Sequence, residues 1–312
     1  MKYNLADLYE AIADAVPDNL ALASGEVHHT YADLEKRANR LAHYMQAQGI
    51  GAGDHVGLHL FNGHEFVEAI LALFKIRAVG INVNYRFVGP EVRYMIENGD
   101  LKGMITQRRF LPVINEANEG LTPLRPLIVI EDGSDANSIQ ESIEYESAMA
   151  QGSEERDFGP RSGEDLYIIY TGGTTGMPKG VMWRHEDLFF TGLQGGSPGG
   201  DPVESPEQLV EQAQEGWYTV TMLPCAPFIH GAAQWTQWIC HLTGGMLVLQ
   251  HGASFDAGRI LSLIAVEDVS TMSLVGDAMA IPLIEELKNG DYDMSNLAVI
   301  ASAGAILSAS VQ

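Results

Sequence analysis

An α/β fold, in two successive series that each imply a mostly parallel sheet covered by helices, is predicted by three observations. Strand-length apolar runs alternate with helix-length amphipathic ones along most of the chain, which is the βαβ rhythm of a sheet buried on both faces. The rhythm breaks at a polar stretch, Gln151 to Glu164, that carries Gly152, Gly159, Pro160 and Gly163, and then resumes. The 312 residues suffice for one large α/β unit or two modest ones, either with a sizeable core.

Taken in order, MKYNLADLYEAIADAV meets Asp7 and Glu10 before any apolar run develops, so it predicts an amphipathic helix and not a signal peptide. Thr30 is a good N-cap, and Leu34, Ala38, Leu41 and Met45 follow at helical spacing until Gly49. Val56 to Leu60 predicts a strand, the stretch with Phe66, Ile70, Leu73 and Phe74 a helix, and Ala78 to Asn84 a second strand. A helix opened by Gly89-Pro90 comes next, followed by strands at Gly103 to Thr106 and Leu127 to Ile130 and a helix near Ser138 to Ala150. Gln151 to Glu164 reads as a linker. Strands at Asp165 to Tyr170 and Lys179 to Trp183 flank a glycine-rich loop, and Gly195 to Gly216 is a loop-rich insert around a short helix. The second series then runs TVTMLP, a helix after Phe228, GGMLVLQ, a helix from Asp256 to Val266, STMSLVG, a helix near Asp277 to Leu287, and LAVIASAG.

With 18 Lys and Arg against 41 Asp and Glu, the formal charge of -23 repels nucleic-acid backbones and anionic lipid surfaces, so neither is expected as a bulk partner. An anionic ligand would need a site that overcomes this field locally, with a lysine, backbone N–H groups or a metal ion. Cys225 and Cys240 form no CxxC pair, which makes a reducing cytoplasm the default location. Trp217 to Phe255 contains no Asp, Glu, Lys or Arg, yet Pro224, Pro227, Gly231, Gly244 and Gly245 interrupt it. It predicts a buried wall, and no membrane span.

The densest chemistry lies in YTGGTTGMPKGVMWRHED, Tyr170 to Asp187. A P-loop would read GxxxxGK followed by Ser or Thr, and a helix would start at once. Here Pro178 precedes Lys179, Gly180 follows it, and a strand comes next, so that assignment fails. The physics of anion binding survives. Gly172, Gly173 and Gly176 let the backbone approach phosphate oxygens, Thr171, Thr174 and Thr175 offer hydroxyls, and Lys179 supplies a point charge. A glycine-rich hairpin turn with a solvated lysine is the competing reading.

YTGGTTGMPKGV resembles the phosphate-binding signature of the adenylate-forming (AMP-binding) enzymes, the acyl-CoA synthetases, aryl-CoA ligases, luciferases and peptide-synthetase adenylation domains, departing from it by Gly172 where serine is usual. APFIHGAA resembles the segment that presents a side chain to the acyl carboxylate, and SAGAILS, Ser302 to Ser308, resembles the adenine-binding segment with Ala303 and Ile306 replacing glycine and proline. The resemblance implies two flavodoxin-like α/β subdomains. It divides the chain roughly into 50–190, with the phosphate loop, and 1–49 plus 215–312, with 195–216 as an insert. It further implies a truncated N-terminal domain, because the later motifs, the barrel and the mobile C-terminal domain of the family lie outside these 312 residues.

The implied reaction joins a carboxylate to the α-phosphorus of ATP, releasing pyrophosphate, and then transfers the acyl group to the thiol of CoA with release of AMP. By this resemblance Lys179, Thr174 and His230 are the catalytic candidates, with ATP also held by Thr171, Gly172, Gly173, Thr175, Gly176, Ala303, Gly304 and Ala305. Thr171 would contribute to a Mg²⁺ site. His230, Gly231, Gln234, Trp235, Val275 and Gly276 would form the acyl pocket, although a core histidine remains the other reading of His230 and plain packing that of Trp235. KGVMWRHEDLFF and APFIHGAAQW resemble the branch acting on long-chain or steroid side-chain acids. The chain alone is expected to turn over weakly, a homodimer is left open, and the alternatives are an acyl-AMP ligase feeding a carrier protein or a non-catalytic nucleotide-binding module.

Overall fold

The computed structural model describes residues 3–173, 176–252 and 254–311. The chain opens with α1 (Leu5–Ala15), β1 (Leu20–Ser24), β2 (Val27–Thr30), α2 (Tyr31–Ala47), β3 (His55–His59), α3 (His64–Lys75), β4 (Val79–Asn82) and α4 (Gly89–Asn98). It continues with β5 (Leu101–Gln107), α5 (Leu111–Ala117), β6 (Leu127–Ile130), β7 (Ile143–Glu144), α6 (Tyr145–Met149), β8 (Leu166–Gly173), β9 (Gly176–Arg184) and α7 (His185–Thr191). The last third holds α8 (Pro206–Glu215), β10 (Thr221–Pro224), α9 (Gly231–Leu242), β11 (Met246–Leu249), α10 (Ala257–Val266), β12 (Thr271–Leu274), α11 (Asp277–Asn289) and β13 (Val299–Ser302). None of the described helices is long and apolar enough to cross a membrane.

The first compact unit gathers the residues up to Asp7, Glu35–Phe61 and Glu65–Leu188. Its main sheet has five strands in the order β4-β3-β5-β6-β7, all parallel, which is the flavodoxin-like winding with its reversal at β3 and β5. Ile81, Val92, Met95, Met104, Leu111 and Ile114 are buried in its core. The division assigns residues 35–49 to this unit, where the sequence expectation grouped them with the other. Buried ion pairs give the reason: Lys75 Nζ of α3 lies 2.7 Å from Glu35 Oε1 of α2, and Arg37 Nε lies 2.7 Å from Glu68 Oε1.

Two expectations in this unit are corrected. Instead of a helix near Ser138 to Ala150, Ile143 pairs with Ile128 in the sheet, and α6 starts only after Glu144, whose carboxylate accepts from the amides of Glu146 and Ser147. The stretch from Gln151 to Glu164 is not a linker but a strap fixed within the unit. Asn39 donates to the Glu154 carbonyl at 2.9 Å, Arg156 Nε reaches Glu35 at 2.8 Å, and Arg161 Nε reaches Asp7 at 2.6 Å. A Cβ on Gly152 would stand 1.9 Å from the Arg40 carbonyl oxygen, so the close approach needs glycine. Glu154 and Arg156 are thus paired with α2, and Arg161 with α1.

The second unit comprises Leu8–Leu34, Asn62–His64 and Phe189–Gln312. Its six strands run β13-β12-β10-β11-β1-β2, parallel throughout except for the antiparallel pair β1 and β2. Val248, Ile260, Leu261, Ile264, Met272 and Leu283 are buried in its core. The Tyr31 hydroxyl donates to the Gly245 carbonyl at 2.8 Å and lies 3.1 Å from that of His241, a polar contact in a buried region. The short helix expected in the insert is α8, opened by the Ser205 side chain accepting from the Gln208 amide and closed by Gly216 in the left-handed region.

Candidate active site

The glycine-rich loop sits on an antiparallel two-stranded ribbon, β8 and β9, in which Thr171 faces Lys179 and Gly173 faces Gly176. Thr174 and Thr175 lie outside the described residues. Thr171, Gly172, Gly176 and Lys179 are exposed. A Cβ on Gly172 or Gly176 would meet nothing within 4 Å, so the protein's own packing does not demand glycine at either position. Among the described residues no ion pair engages Lys179, and its charge is open to an anion.

The two stems of the loop are anchored by the sheet and helix beneath them. Asn82, the last residue of β4, donates to the Tyr170 carbonyl at 3.0 Å and accepts its amide at 2.8 Å. On the other stem the Tyr94 hydroxyl of α4 donates to the Pro178 carbonyl at 2.8 Å, one residue before Lys179. The base is closed where the His185 amide donates to the Asp165 carbonyl at 2.9 Å. Asp165 in turn accepts from Arg77 Nη2 at 2.8 Å and from Asn4 at 3.0 Å. Arg184 and His185, which follow the exit strand of the loop, are engaged elsewhere. Arg184 pairs with Asp187 at 2.6 Å and Glu164 at 3.0 Å. His185 is buried and its Nδ1 accepts the Leu5 amide at 3.3 Å.

In the second unit the carboxyl end of β10 leads through Phe228 to His230, which is exposed and stands at the N-cap of α9. The core-histidine reading of His230 therefore drops out. Asn62 Oδ1 accepts the Phe228 amide at 2.8 Å, and Gln234 Nε2 donates to the Phe228 carbonyl at 2.6 Å, so both shape the turn that presents His230. Beside this turn lies a cavity of about 600 Å³, walled by Met222, Trp235, Ile239, Val275, Val299 and Ala301 among others. Its size and apolar walls suit a small-molecule ligand. Of the residues the sequence grouped as an acyl pocket, Trp235 and Val275 line it; His230, Gly231, Gln234 and Gly276 do not. Thr236, Thr271 and Ser273, which also line it, carried no signal in the sequence.

Gly276 is buried with φ +58°, and a Cβ there would lie 2.5 Å from the Ile306 carbonyl oxygen. It is a point of close approach to the Ser302–Ser308 segment. Asp277 holds that segment twice: its amide donates to the Ile306 carbonyl at 3.1 Å and its Oδ1 accepts the Ser308 amide at 2.8 Å. Ala303 lines the cavity, while Gly304 and Ala305 are exposed. Thus the phosphate-loop candidates Thr171, Gly172, Gly173, Gly176 and Lys179 belong to the first unit, and Ala303, Gly304, Ala305 and His230 to the second.

The sequence profile described as AMP-binding enzyme matches residues 9–312, and the chain belongs to that family. It is 42% identical over 321 residues to the 3-oxocholest-4-en-26-oate–CoA ligase of Rhodococcus rhodochrous, covering 100% of this chain and 57% of that protein. It is 40% identical to a medium/long-chain-fatty-acid–CoA/3-oxocholest-4-en-26-oate–CoA ligase of Mycolicibacterium smegmatis, again over 100% of this chain and 57% of the relative. The chain thus spans little more than half the length of these curated relatives. Among solved structures, the anthranilate CoA ligase AuaEII in complex with anthranoyl-AMP superposes with a TM-score of 0.82 at 21% identity, over 100% of this chain and 57% of that one. The N-terminal domain of FACL13 from Mycobacterium tuberculosis gives 0.77 at 24% identity, over 100% and 72%. These two likenesses establish the fold, that of adenylate-forming N-terminal domains.

Proposed function

We propose that the whole protein activates an apolar carboxylic acid with ATP, forming an acyl-adenylate and pyrophosphate, and then passes the acyl group to CoA with release of AMP. The observation that carries this reading is the anchored hairpin that leaves Lys179 and the backbone at Gly172 and Gly176 open. A carboxylate is already a nucleophile. The reaction therefore needs stabilisation of the charge that builds up on phosphorus and pyrophosphate more than it needs a general base. In this reading Lys179 and the loop amides receive the triphosphate, and Ser302–Ser308 the adenine. The 600 Å³ cavity of the second unit takes the apolar body of the acid, and His230 orients its carboxylate.

An exposed threonine hydroxyl suits a Mg²⁺ ion that keeps several waters and takes most other ligands from phosphate oxygens, and Thr171 fits that limited part. When bound, the ion would neutralise charge on the phosphates. The names of the relatives favour a fatty acid or a steroid side-chain acid as substrate. Burial pushes the Cys225 thiol up to about 12, an inert state compatible with a cytoplasmic location. That location and a homodimeric assembly belong to the same proposal, with fractionation and light scattering as their checks.

The test is a panel of carboxylic acids assayed for AMP release by the full-length protein, with CoA and with an acyl-carrier protein as acceptors. Release that needs a long-chain or steroid acid plus CoA is expected. Release with the carrier protein alone would move the assignment to an acyl-AMP ligase, and none with any acid would sink it. The 312-residue chain by itself is expected to release little AMP.

A further inference from the structure

Two hydroxyls stand side by side in the wall of the second unit's cavity, Thr236 from α9 and Ser273 from β12. The alternation of β12 turns Met272 into the core and Ser273 toward α9. Thr236 Oγ1 lies 2.9 Å from the Ala232 carbonyl oxygen, one helical turn back, and 3.0 Å from Ser273 Oγ. A threonine hydroxyl has a single proton. Inside a helix that proton goes to the carbonyl four residues earlier, here Ala232, so the proton in the second bond comes from Ser273.

Directionality follows. With its proton spent on Thr236, the Ser273 hydroxyl turns only lone pairs toward the cavity, in a wall otherwise built largely from Met222, Trp235, Ile239, Val299 and Ala301. A ligand O–H satisfies such an acceptor. A ligand carbonyl confronts it with a second acceptor, and Ser273 can serve that carbonyl only by releasing Thr236. An unsubstituted methylene offers Ser273 no proton and leaves the acceptor unpaired, which costs free energy in an apolar setting.

Taking the cavity as the seat of the acid, as in the proposed function, we infer that Ser273 selects acids whose apolar body carries a hydroxyl. Keto and unsubstituted acids of the same skeleton are disfavoured. Thr236 acts through Ser273 by fixing the direction of its proton.

The experiment is titration calorimetry of the full chain with dodecanoate, a positional series of hydroxydodecanoates and the matching oxododecanoates, so it reads binding and not turnover. One hydroxy isomer is expected to bind about tenfold more tightly than both its oxo partner and dodecanoate, a difference of about 1.4 kcal/mol. In Ser273→Ala that ratio should fall to within about twofold of unity while dodecanoate binding persists, the loss expected for one net hydrogen bond. Thr236→Val keeps the shape and frees the Ser273 proton, so the preference should shift toward the oxo acid. A structural role alone would not produce that shift. Equal binding of hydroxy and unsubstituted acids by the parent chain, or a hydroxyl preference that survives Ser273→Ala, overturns the inference and leaves the acid-binding assignment standing. Failure of every acid to bind overturns both.

Discussion

Asn82 and Tyr170 exchange two hydrogen bonds, one side-chain amide pairing with both the carbonyl at 3.0 Å and the amide at 2.8 Å of a single residue. A side chain here does the work of a neighbouring strand, and it does so one residue before Thr171. Replacing it leaves two backbone groups of β8 unpaired, at about 1–3 kcal/mol for each group that stays buried. Asn82→Ala should therefore lower the urea midpoint of the chain and speed hydrogen exchange at the Tyr170 amide, with little change at the amides of β11 in the other unit. Unchanged exchange at Tyr170 would show that the ribbon does not depend on this pair.

Lys179 is exposed and takes no part in the core, so its substitution separates function from folding. Lys179→Met is expected to leave thermal stability within about 0.5 kcal/mol of the parent. It should slow ATP–pyrophosphate exchange by the full-length protein by about 10²–10³-fold, the loss typical of a key charge-stabilising donor. An exchange rate near that of the parent would remove Lys179 from the phosphate site.

Gly276 has φ +58° and no space for a Cβ against Ile306. Gly276→Ala should destabilise by about 1–3 kcal/mol, the usual range for a non-glycine residue forced into such a conformation. Asp277→Ala should instead act locally, raising hydrogen exchange at the Ser308 amide, whereas Asp277→Asn retains a side-chain oxygen and should restore most of the protection. Equal exchange in all three proteins would mean that Asp277 does not hold the segment.

His59, His185 and His241 are buried, and burial pushes them down from the usual 6.5 to about 3, about 4 and about 4. Once unfolded, each takes up a proton near pH 6.5, so below that pH the unfolded chain binds more protons than the folded one. The stability associated with their neutral forms is present in full above about pH 7 and is lost as pH falls toward about pH 4, at up to about 1.4 kcal/mol per pH unit for each group. The thermal midpoint should fall between pH 7 and pH 5, conditions set by this window. His185→Gln, whose amide oxygen can still accept from Leu5, should make that fall shallower. An identical pH dependence in the variant would exclude His185 as a contributor.

Much of the fold was legible because strands buried on both faces and amphipathic helices carry different periods. The Thr30 cap is one case: its hydroxyl accepts the Asp33 amide at 3.1 Å, at the start of the helix predicted there. Where the pattern was short it gave no warning. β2, VHHT, is half exposed and contains two histidines, so it shows no apolar alternation, and it is a strand because it pairs back on β1. The strap from Gln151 to Glu164 looked like a linker because composition reports polarity but not pairing. Its partners, Glu35, Asn39 and Asp7, lie more than a hundred residues away in the chain.

The candidate site divides in the same manner. The sequence by itself determined the family and singled out the glycine-rich loop as the candidate phosphate site, because three glycines, three threonines and a Pro-Lys-Gly exit are adjacent in the chain and their chemistry is local. Only the tertiary structure decided what anchors that loop, which residues wall the cavity, and that Asp277 holds the segment after β13. Those facts depend on distances between residues such as Asn82 and Tyr170 or Thr236 and Ser273, far apart in sequence, and the folded chain alone sets those distances.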